Sequence, residues 1–339
     1  MTVDSPTELV GRSPLQISYV LPLRWHTDDG RFELTCYLAF LARVCEEVIV
    51  VDGSPEKVFA ENADSWGSWV RHVRPDPSDV GPMGKAAGIQ TGVRQARCQA
   101  IVLADDDVRY DRQGLQRVRD LLAFFDVVSP QNYFDRLPWQ ARWDTARTLV
   151  NRAFGGDYSG SLGVRHNQML AIGGYDAAAI FDNLELIRTI EAHGGRSTTV
   201  LDLYVRRSPP TIGHFRSQRR RYAYEEFARP LRMLISLAVL PAVIAAIFRG
   251  HWWRVALAAL SVTALAEHGR RVHGGSRIFP RSSSFLAPLW VFERGVCAWL
   301  AVVERQRFGG FRYHGKVIFT AAHSTRALRK RARSSTAQP

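Results

Sequence analysis

The sequence predicts an α/β fold, a mostly parallel sheet with helices on both faces, followed by apolar helices toward the C-terminal end. Three observations carry this. Short apolar runs alternate with stretches of helical period as far as Ser129, the pattern of a parallel sheet with crossover helices. Two of those runs, Val48 to Val51 and Ala100 to Ala104, stop on aspartate. A buried strand that ends on acidic side chains opens into the crevice where open α/β sheets bind ligands. From Leu231 onward the chain then becomes apolar over long stretches.

Ile17 to Leu21, interrupted only by Ser18, reads as the first strand. Phe32 to Val44 repeats its large apolar residues at helical spacing, which predicts a helix. Val48 to Val51 is the second strand, Trp69 to Val73 the third candidate, and Pro75 to Gly84 a proline-rich loop. Helix Lys85 to Cys98, strand Ala100 to Ala104, helix Asp111 to Phe124 and strand Asp126 to Ser129 follow. After Pro130 the pattern is irregular and aromatic (Tyr133, Phe134, Trp139, Trp143), then glycine-rich from Gly155 to Gly163, then helical from Asp182 to His193. No internal repeat is visible.

The chain has 339 residues and a formal net charge of +13, and only four of its 45 basic residues are lysines. The arginine bias fits a GC-rich bacterial genome. Arg206, Arg207, Arg216, Arg219 to Arg221, Arg229 and Arg232 precede the apolar region, and Arg326, Arg329, Lys330, Arg331 and Arg333 end the chain. Basic clusters beside apolar segments mark a cytoplasmic membrane face, where anionic lipid attracts each by about 1 kcal/mol. No recognition motif accompanies the charge, so nucleic acid is not an expected partner. Cys36, Cys45, Cys98 and Cys297 have neither metal-ligand spacing nor a disulfide-like pattern, which fits a reducing compartment. The first residues lack the apolar core of a signal peptide.

Met233 to Phe248 and Trp252 to Ala266, joined by Arg249-Gly250-His251, read as a tight membrane hairpin. Extended to Leu231, the first run has eighteen residues, at the short end for a hydrocarbon core of about 30 Å. A buried pair of soluble helices is the competing reading. Phe285 to Val303 is interrupted by Glu293 and Arg294, each costing about 2.5 to 3.5 kcal/mol at a helix centre. It suits an interfacial or re-entrant helix. The expected divisions are a flexible leader 1–14, an α/β domain 15–230, a membrane segment 231–303 and a basic cytoplasmic tail 304–339. The expected location is the bacterial inner membrane, with the α/β domain in the cytoplasm.

Carboxylates two apart on an extended segment point the same way. Asp105 and Asp107 therefore form a candidate site for one divalent cation, Mg²⁺ or Mn²⁺, shared with diphosphate oxygens. The alternative is a solvated acidic turn capping the helix near Asp111.

The chain resembles the family 2 glycosyltransferases of the A-type, Rossmann-like fold over about residues 15 to 230. The residues that carry the resemblance are Val20-Leu-Pro22, Val50-Val-Asp52-Gly-Ser54, Gly84-Lys85, Asp105-Asp-Asp107, Phe181-Asp182-Asn-Leu-Glu185 and Gln218-Arg-Arg-Arg221-Tyr222. Their joint order is more specific than any one of them. The C-terminal hairpin is also typical of membrane-bound members such as ceramide glucosyltransferase. The resemblance implies that Pro22, Asp52 and Lys85 contact the nucleotide of a nucleoside-diphosphate sugar, with Asp105 and Asp107 on the metal. It further implies that Gln218, Arg221 and Tyr222 lie near the diphosphate and acceptor. The hairpin's closeness to that segment favours a lipid or membrane-presented acceptor over the alternative, a peptide-derived small molecule.

Transfer to a hydroxyl needs a carboxylate to take its proton. The family places that base second in an acidic pair, and the second position here is Asn183. Asp182 and Glu185 are the two remaining candidates, Asp182 preferred. The glycines between Gly155 and Gly174 resemble the family's acceptor-side loop. Two further readings stand beside the transferase: a catalytically silent sugar-nucleotide binder, prompted by Asn183, and a phosphohydrolase or nucleotidyltransferase. The last is disfavoured by Arg109, where a hydrolase needs Thr or Val, and by Leu21-Pro-Leu-Arg-Trp-His26 in place of a glycine-rich loop.

Overall fold

The structure, a computed structural model, describes residues 13–26, 30–79, 84–157, 160–313 and 316–336. The leader expected at 1–14 lies almost wholly outside the described residues, as does part of the proline-rich loop.

In chain order the elements are β1 (Leu15–Leu23), α1 (Arg31–Val44), β2 (Cys45–Asp52), α2 (Glu56–Trp66), β3 (Arg71–Val73), α3 (Gly84–Gln95), β4 (Ala100–Ala104), β5 (Val108–Arg109), α4 (Arg112–Leu121) and β6 (Val127–Phe134). There follow α5 (Trp139–Arg152), β7 (Ser161–Arg165), α6 (His166–Ala171), α7 (Asp182–Ala192), β8 (Ser197–Arg207), α8 (Ile212–Glu225), α9 (Pro230–Phe248), α10 (Trp252–Arg271), α11 (Arg281–Phe308), β9 (Phe311–Tyr313), β10 (Lys316–Ile318) and α12 (Thr325–Thr336).

Eight strands form one sheet in the order β3-β2-β1-β4-β7-β6-β8-β5. β3, β2, β1 and β4 run parallel, so Leu23, Asp52 and Ala104 end on one edge. β7 is antiparallel to both β4 and β6, and β5 is antiparallel to β8, while β6 and β8 are parallel. The fold is therefore mixed α/β, with parallel pairings in the majority. Side chains alternate across the strands, as the period of two requires. Val20, Ile49, Val51, Ile101 and Leu103 pack under α3 and α7, while Tyr19, Leu21, Val48, Val50 and Val102 pack under α1 and α4.

Two local devices fix the edge at the strand ends. α3 lies unusually close to the sheet: a Cβ at Gly92 would fall 2.3 Å from Val20 Cγ1, and one at Gly88 2.9 Å from Pro22 Cβ. Only glycine allows that approach, and it carries Lys85 in the first turn over the strand ends. α4 is capped by Asp111, whose side chain accepts from the Gly114 N–H at 2.7 Å. The cap is thus Asp111 itself, not the aspartate triplet.

The region after Pro130 differs from its irregular reading, because it holds α5, β7 and β8. α5 buries Gln140, Asp144, Thr148 and Arg152, polar residues that hide a helix from a hydrophobic-period search.

α10 and α11 do not form a body apart from the α/β domain. Ala146 and Leu149 of α5 share a core with Ala266 of α10 and Ala287 and Trp290 of α11. A Cβ at Gly269 would fall 1.9 Å from the Leu149 carbonyl oxygen, so the end of α10 is seated directly on α5. Arg152, fully buried, donates to the carbonyls of Gly269 (3.0 Å) and Val272 (2.8 Å). Two helices, Pro230–Phe248 and Arg281–Phe308, are long and apolar enough to cross a membrane by length and composition. α10, expected as the return limb, does not meet that measure, because Arg254, Glu267, Arg270 and Arg271 fall within it.

Candidate active site

β4 ends at Ala104, and the next three residues carry the acidic triplet across the top of the sheet. Asp105 N–H donates to the Gly160 carbonyl at 2.9 Å. A Cβ at Gly160 would lie 3.0 Å from Asp105 Oδ2 and 3.2 Å from Arg207 Cζ. That glycine leaves room for two side chains to meet.

Lys85 joins two of the expected site residues. Its Nζ is 2.7 Å from Asp105 Oδ1 and 2.9 Å from Asp182 Oδ2. These residues come from α3, the end of β4 and the first turn of α7. Burial alone would lower the Lys85 pKa, but the two carboxylates outweigh it and the ammonium is held firmly protonated. Burial alone would raise Asp105, yet Lys85 and then Arg207 hold it below the usual carboxylate range.

Arg207, at the end of β8, is a member that the sequence reading did not single out for the site. Its Nε lies 2.7 Å from Asp107 Oδ2 and its Nη2 3.6 Å from Asp105 Oδ2. The signal for it is the alternation Leu201, Leu203, Val205 of buried residues, which puts position 207 on the same face of the strand. Asp106 turns elsewhere, accepting from Trp25 Nε1 at 2.6 Å. Burial, and then repulsion from Asp107, raises its pKa.

The other expected residues divide. Pro22 sits on β1 against Gly88 of α3. Asp52 is fully buried, accepting from the Ser54 N–H (2.8 Å) and Asn62 Nδ2 (2.9 Å), with His72 Nε2 at 3.0 Å. Burial would raise its pKa, but His72, Ser54 and Asn62 together hold it low. Its oxygens thus organise the loop after β2. Gln218 is buried on α8, and Arg221 donates from Nη2 to the Ile180 carbonyl at 3.1 Å. That contact places Arg221 just before Asp182 and within electrostatic reach of Asp105. Tyr222 lies between two guanidinium groups, with Arg147 Cζ 5.0 Å and Arg219 Cζ 5.4 Å from its ring centroid.

Glu185 faces away from this cluster. It is fully buried, and its Oε2 accepts from the His323 N–H at 2.7 Å while Oε1 lies 2.9 Å from His323 Nδ1. His323 belongs to a C-terminal strap in which Thr320 and Ala321 carbonyls accept from the Ile180 and Phe181 N–H groups at 3.1 and 3.0 Å. The chain after α11 therefore braces the residues that lead into Asp182. Among the described residues, Asp176, Glu185 and His323 form the one His, Cys, Asp or Glu group close enough to share an ion.

Parallel strands with acidic ends, a lysine bridging two of the acids and an arginine backing a third thus form one cluster of opposite charges at the edge where open α/β sheets bind ligands. Residues 37–173 match the model of the family described as Glycosyl transferase family 2. The match supports a glycosyltransferase. No curated protein matches the chain. Among solved structures, the chain is similar to the mannosyltransferase PcManGT from Pyrobaculum calidifontis in complex with GDP-Man and Mn²⁺. That likeness has 15% identity, covers 85% of this chain and 88% of that one, and has a TM-score of 0.48. It is also similar to glucosyl-3-phosphoglycerate synthase from Mycobacterium tuberculosis, at 15% identity over 60% of this chain and 76% of that one, with a TM-score of 0.39.

Proposed function

We propose that the protein transfers a sugar, with inversion, from a nucleoside-diphosphate sugar to a lipid or other membrane-presented acceptor. The observation that carries this reading is the Lys85 bridge between Asp105 and Asp182. It draws the aspartate triplet and the preferred base candidate into one site beside Arg207.

The residues fit a divalent cation. Asp107 Oδ1 is buried without a hydrogen-bond partner among the described residues, and the donors are oxygens, suited to Mg²⁺ or Mn²⁺. Asp105 and Asp107 would hold the ion, which when bound neutralises the leaving diphosphate. Arg221 and Lys85 would take further phosphate oxygens, Arg221 as a fork and Lys85 as a point charge.

Asp182 accepts the proton of the attacking hydroxyl in this scheme. It first has to give up Lys85, and a diphosphate is the stronger partner for that ammonium. Donor binding thereby frees the base, which orders donor before acceptor. The silent-binder reading draws on the same contact together with Asn183, because Asp182 locked to Lys85 accepts nothing.

Membrane attachment is part of the proposal. α11 runs along α5 and α8, both charged, so it lies in the membrane plane with Phe285, Leu289, Phe292 and Leu300 exposed. The part of α10 before Val262, where packing on α5 and α11 begins, is 252–261, about 15 Å long at 1.5 Å per residue and about 15 Å short of a crossing. Thinning the bilayer costs fractions of a kcal/mol per Å. Leaving Arg249 and Arg254 near the bilayer centre costs about 2.5 to 3.5 kcal/mol each. The hairpin therefore crosses, with Trp252 and Trp253 at the far interface. A cysteine placed at 251 should react with an impermeant reagent from outside and one at 330 should not; the opposite pattern refutes this topology.

Release of nucleotide from UDP- and GDP-sugars, with membrane extract as acceptor, tests the activity. Turnover should need Mg²⁺ or Mn²⁺, and Asp107→Asn should abolish it while the far-UV spectrum stays unchanged. Full turnover in excess EDTA removes the metal from the mechanism. Donor binding with no transfer to any extract selects the silent binder.

A further inference from the structure

Behind the catalytic edge, between α5, α8 and α11, three arginines converge with too few partners. Arg294 of α11 is only 8% exposed, and its Nε and Nη1 have no hydrogen-bond partner among the described residues. Arg147 Nε likewise has none, and Arg219 Nη1 makes no hydrogen bond and only a 3.7 Å ion-pair contact with Glu293 Oε2. Arg147 and Arg219 flank the Tyr222 ring, and both lie within electrostatic reach of Arg294. Leaving a buried donor unpaired costs about 1 to 3 kcal/mol, and more for a charged group.

The carboxylates nearby do not balance them. Asp144 is taken up by Arg219 Nη2 at 2.6 Å and Asp157 by Arg147 Nη2 at 3.2 Å. Glu293 is 3.7 Å from Arg219 and accepts from Trp143 Nε1 at 2.5 Å. The acid nearest in effect to Arg294 is Glu226, which also serves Arg229 and Arg232. A buried arginine with two N–H groups that make no hydrogen bond, near two further guanidinium groups, offers donors that suit an anion.

We propose that Arg147, Arg219 and Arg294 form a subsite for a phosphate monoester, carried by the acceptor. This rests on the transferase reading above and names the acceptor's chemistry. A phosphate monoester is close to dianionic at neutral pH and presents three terminal oxygens, enough to engage the unpaired groups of three forks where a carboxylate offers two. The position fits an acceptor. Arg147 also feels the charge of Arg207, which holds Asp107, so the positive row leads from the aspartates to α11. The outer face of α11 exposes Phe285, Leu289 and Phe292, where the chain of a lipid phosphate would lie.

Thermal unfolding of the full-length protein in neutral detergent tests the subsite. Dodecyl phosphate should raise the wild-type midpoint by several degrees beyond sodium chloride of equal ionic strength, as ligand linkage requires. Arg294→Gln should remove most of that shift. Arg294→Lys and Arg219→Lys, which keep the charge without the fork, should retain part of it and serve if the glutamine variant fails to fold. The shift given by UDP or GDP with Mn²⁺ should be the same in all these variants. An equal shift from inorganic phosphate assigns the subsite to a soluble phosphate rather than a lipid one. No dodecyl phosphate shift beyond the chloride control overturns the proposal, as does a parallel loss of the nucleotide shift in Arg294→Gln, which would return the arginines to the donor site. Absence of any nucleotide shift in wild type defeats the transferase reading alone, since the phosphate arm is read independently.

Discussion

The two charged centres of this protein are opposites. At the strand ends, Asp105, Asp107 and Asp182 are matched by Lys85 and Arg207 at ion-pair distance. Behind them, Arg147, Arg219 and Arg294 have buried N–H groups that make no hydrogen bond among the described residues. In the first centre each cation is already held by an acid, although Asp107 Oδ1 makes no hydrogen bond, so an anion that binds there has to displace an internal partner. In the second, Arg294 Nε and Nη1 and Arg147 Nε make no hydrogen bond among the described residues, so an anion there need displace none. Under the proposed transferase reading this difference would keep the base masked until the donor's diphosphate draws Lys85 away.

The largest effect that separates the two centres concerns Asp182. Asp182→Asn should reduce sugar transfer by about two to four orders of magnitude, the usual worth of a general base. Donor affinity, measured by nucleotide-sugar titration, should change little, because the loss is confined to the transition state. A large loss of donor affinity would make Asp182 a structural partner of Lys85 and nothing more.

Why the first centre was legible and the second was not follows from how each is written in the chain. Lys85, Asp105 and Asp182 each stand beside a local landmark: a Gly-Lys helix start, a strand that stops on acid, a helix that opens on acid. β1, β2 and β4 are largely buried and hold short apolar runs, that of β1 broken by Ser18. α5 and β8 contain no such run, since α5 buries polar groups, some of them met only far along the chain, as Asp144 is by Arg219. Arg207 was named only within a basic cluster, although strand alternation places it on the inner face. The arginine surplus cannot be seen locally at all, because Arg147, Arg219 and Arg294 come from three helices. In the membrane segment, α9 was read from its hydropathy, whereas the seating of α10 and α11 on α5 depends on the close approach at Gly269.

Glu185→Gln should have a smaller effect, and on stability rather than rate. Its carboxylate binds His323 through the backbone N–H and Nδ1, and weakening a buried pair of this kind costs about 1 to 3 kcal/mol. The midpoint of urea unfolding should fall while the transfer rate per folded molecule stays within severalfold of wild type. His323→Ala should act in the same direction but less, since it removes the Nδ1 contact and keeps the backbone N–H that Glu185 also accepts. A hundredfold rate loss in Glu185→Gln with an intact fold would instead move the base one helical turn along α7.

The smallest effect is electrostatic and depends on pH. The folded-state pKa of Asp105 is depressed, so its share of stability is present above the ordinary carboxylate value of about 3.9 and is lost as pH falls through the lower folded value. The Lys85 pKa is raised, so its share is present below about 10.4 and is lost as pH rises through the higher folded value. Between these limits the bridge is fully formed. Lys85 and Asp105 keep 27% and 23% of their side-chain surface exposed, so solvent screens the pair, and Lys85→Met should cost only about 1 kcal/mol at pH 7. That difference should persist down to about pH 4 and shrink below it, as Asp105 protonates and the wild type loses what the variant already lacks. Urea midpoints of both proteins from pH 3 to pH 7 provide the measurement. A gap that stays constant across the acid range would mean that Lys85 stabilises the site by packing its stem, and the picture of a masked base would lose its electrostatic footing.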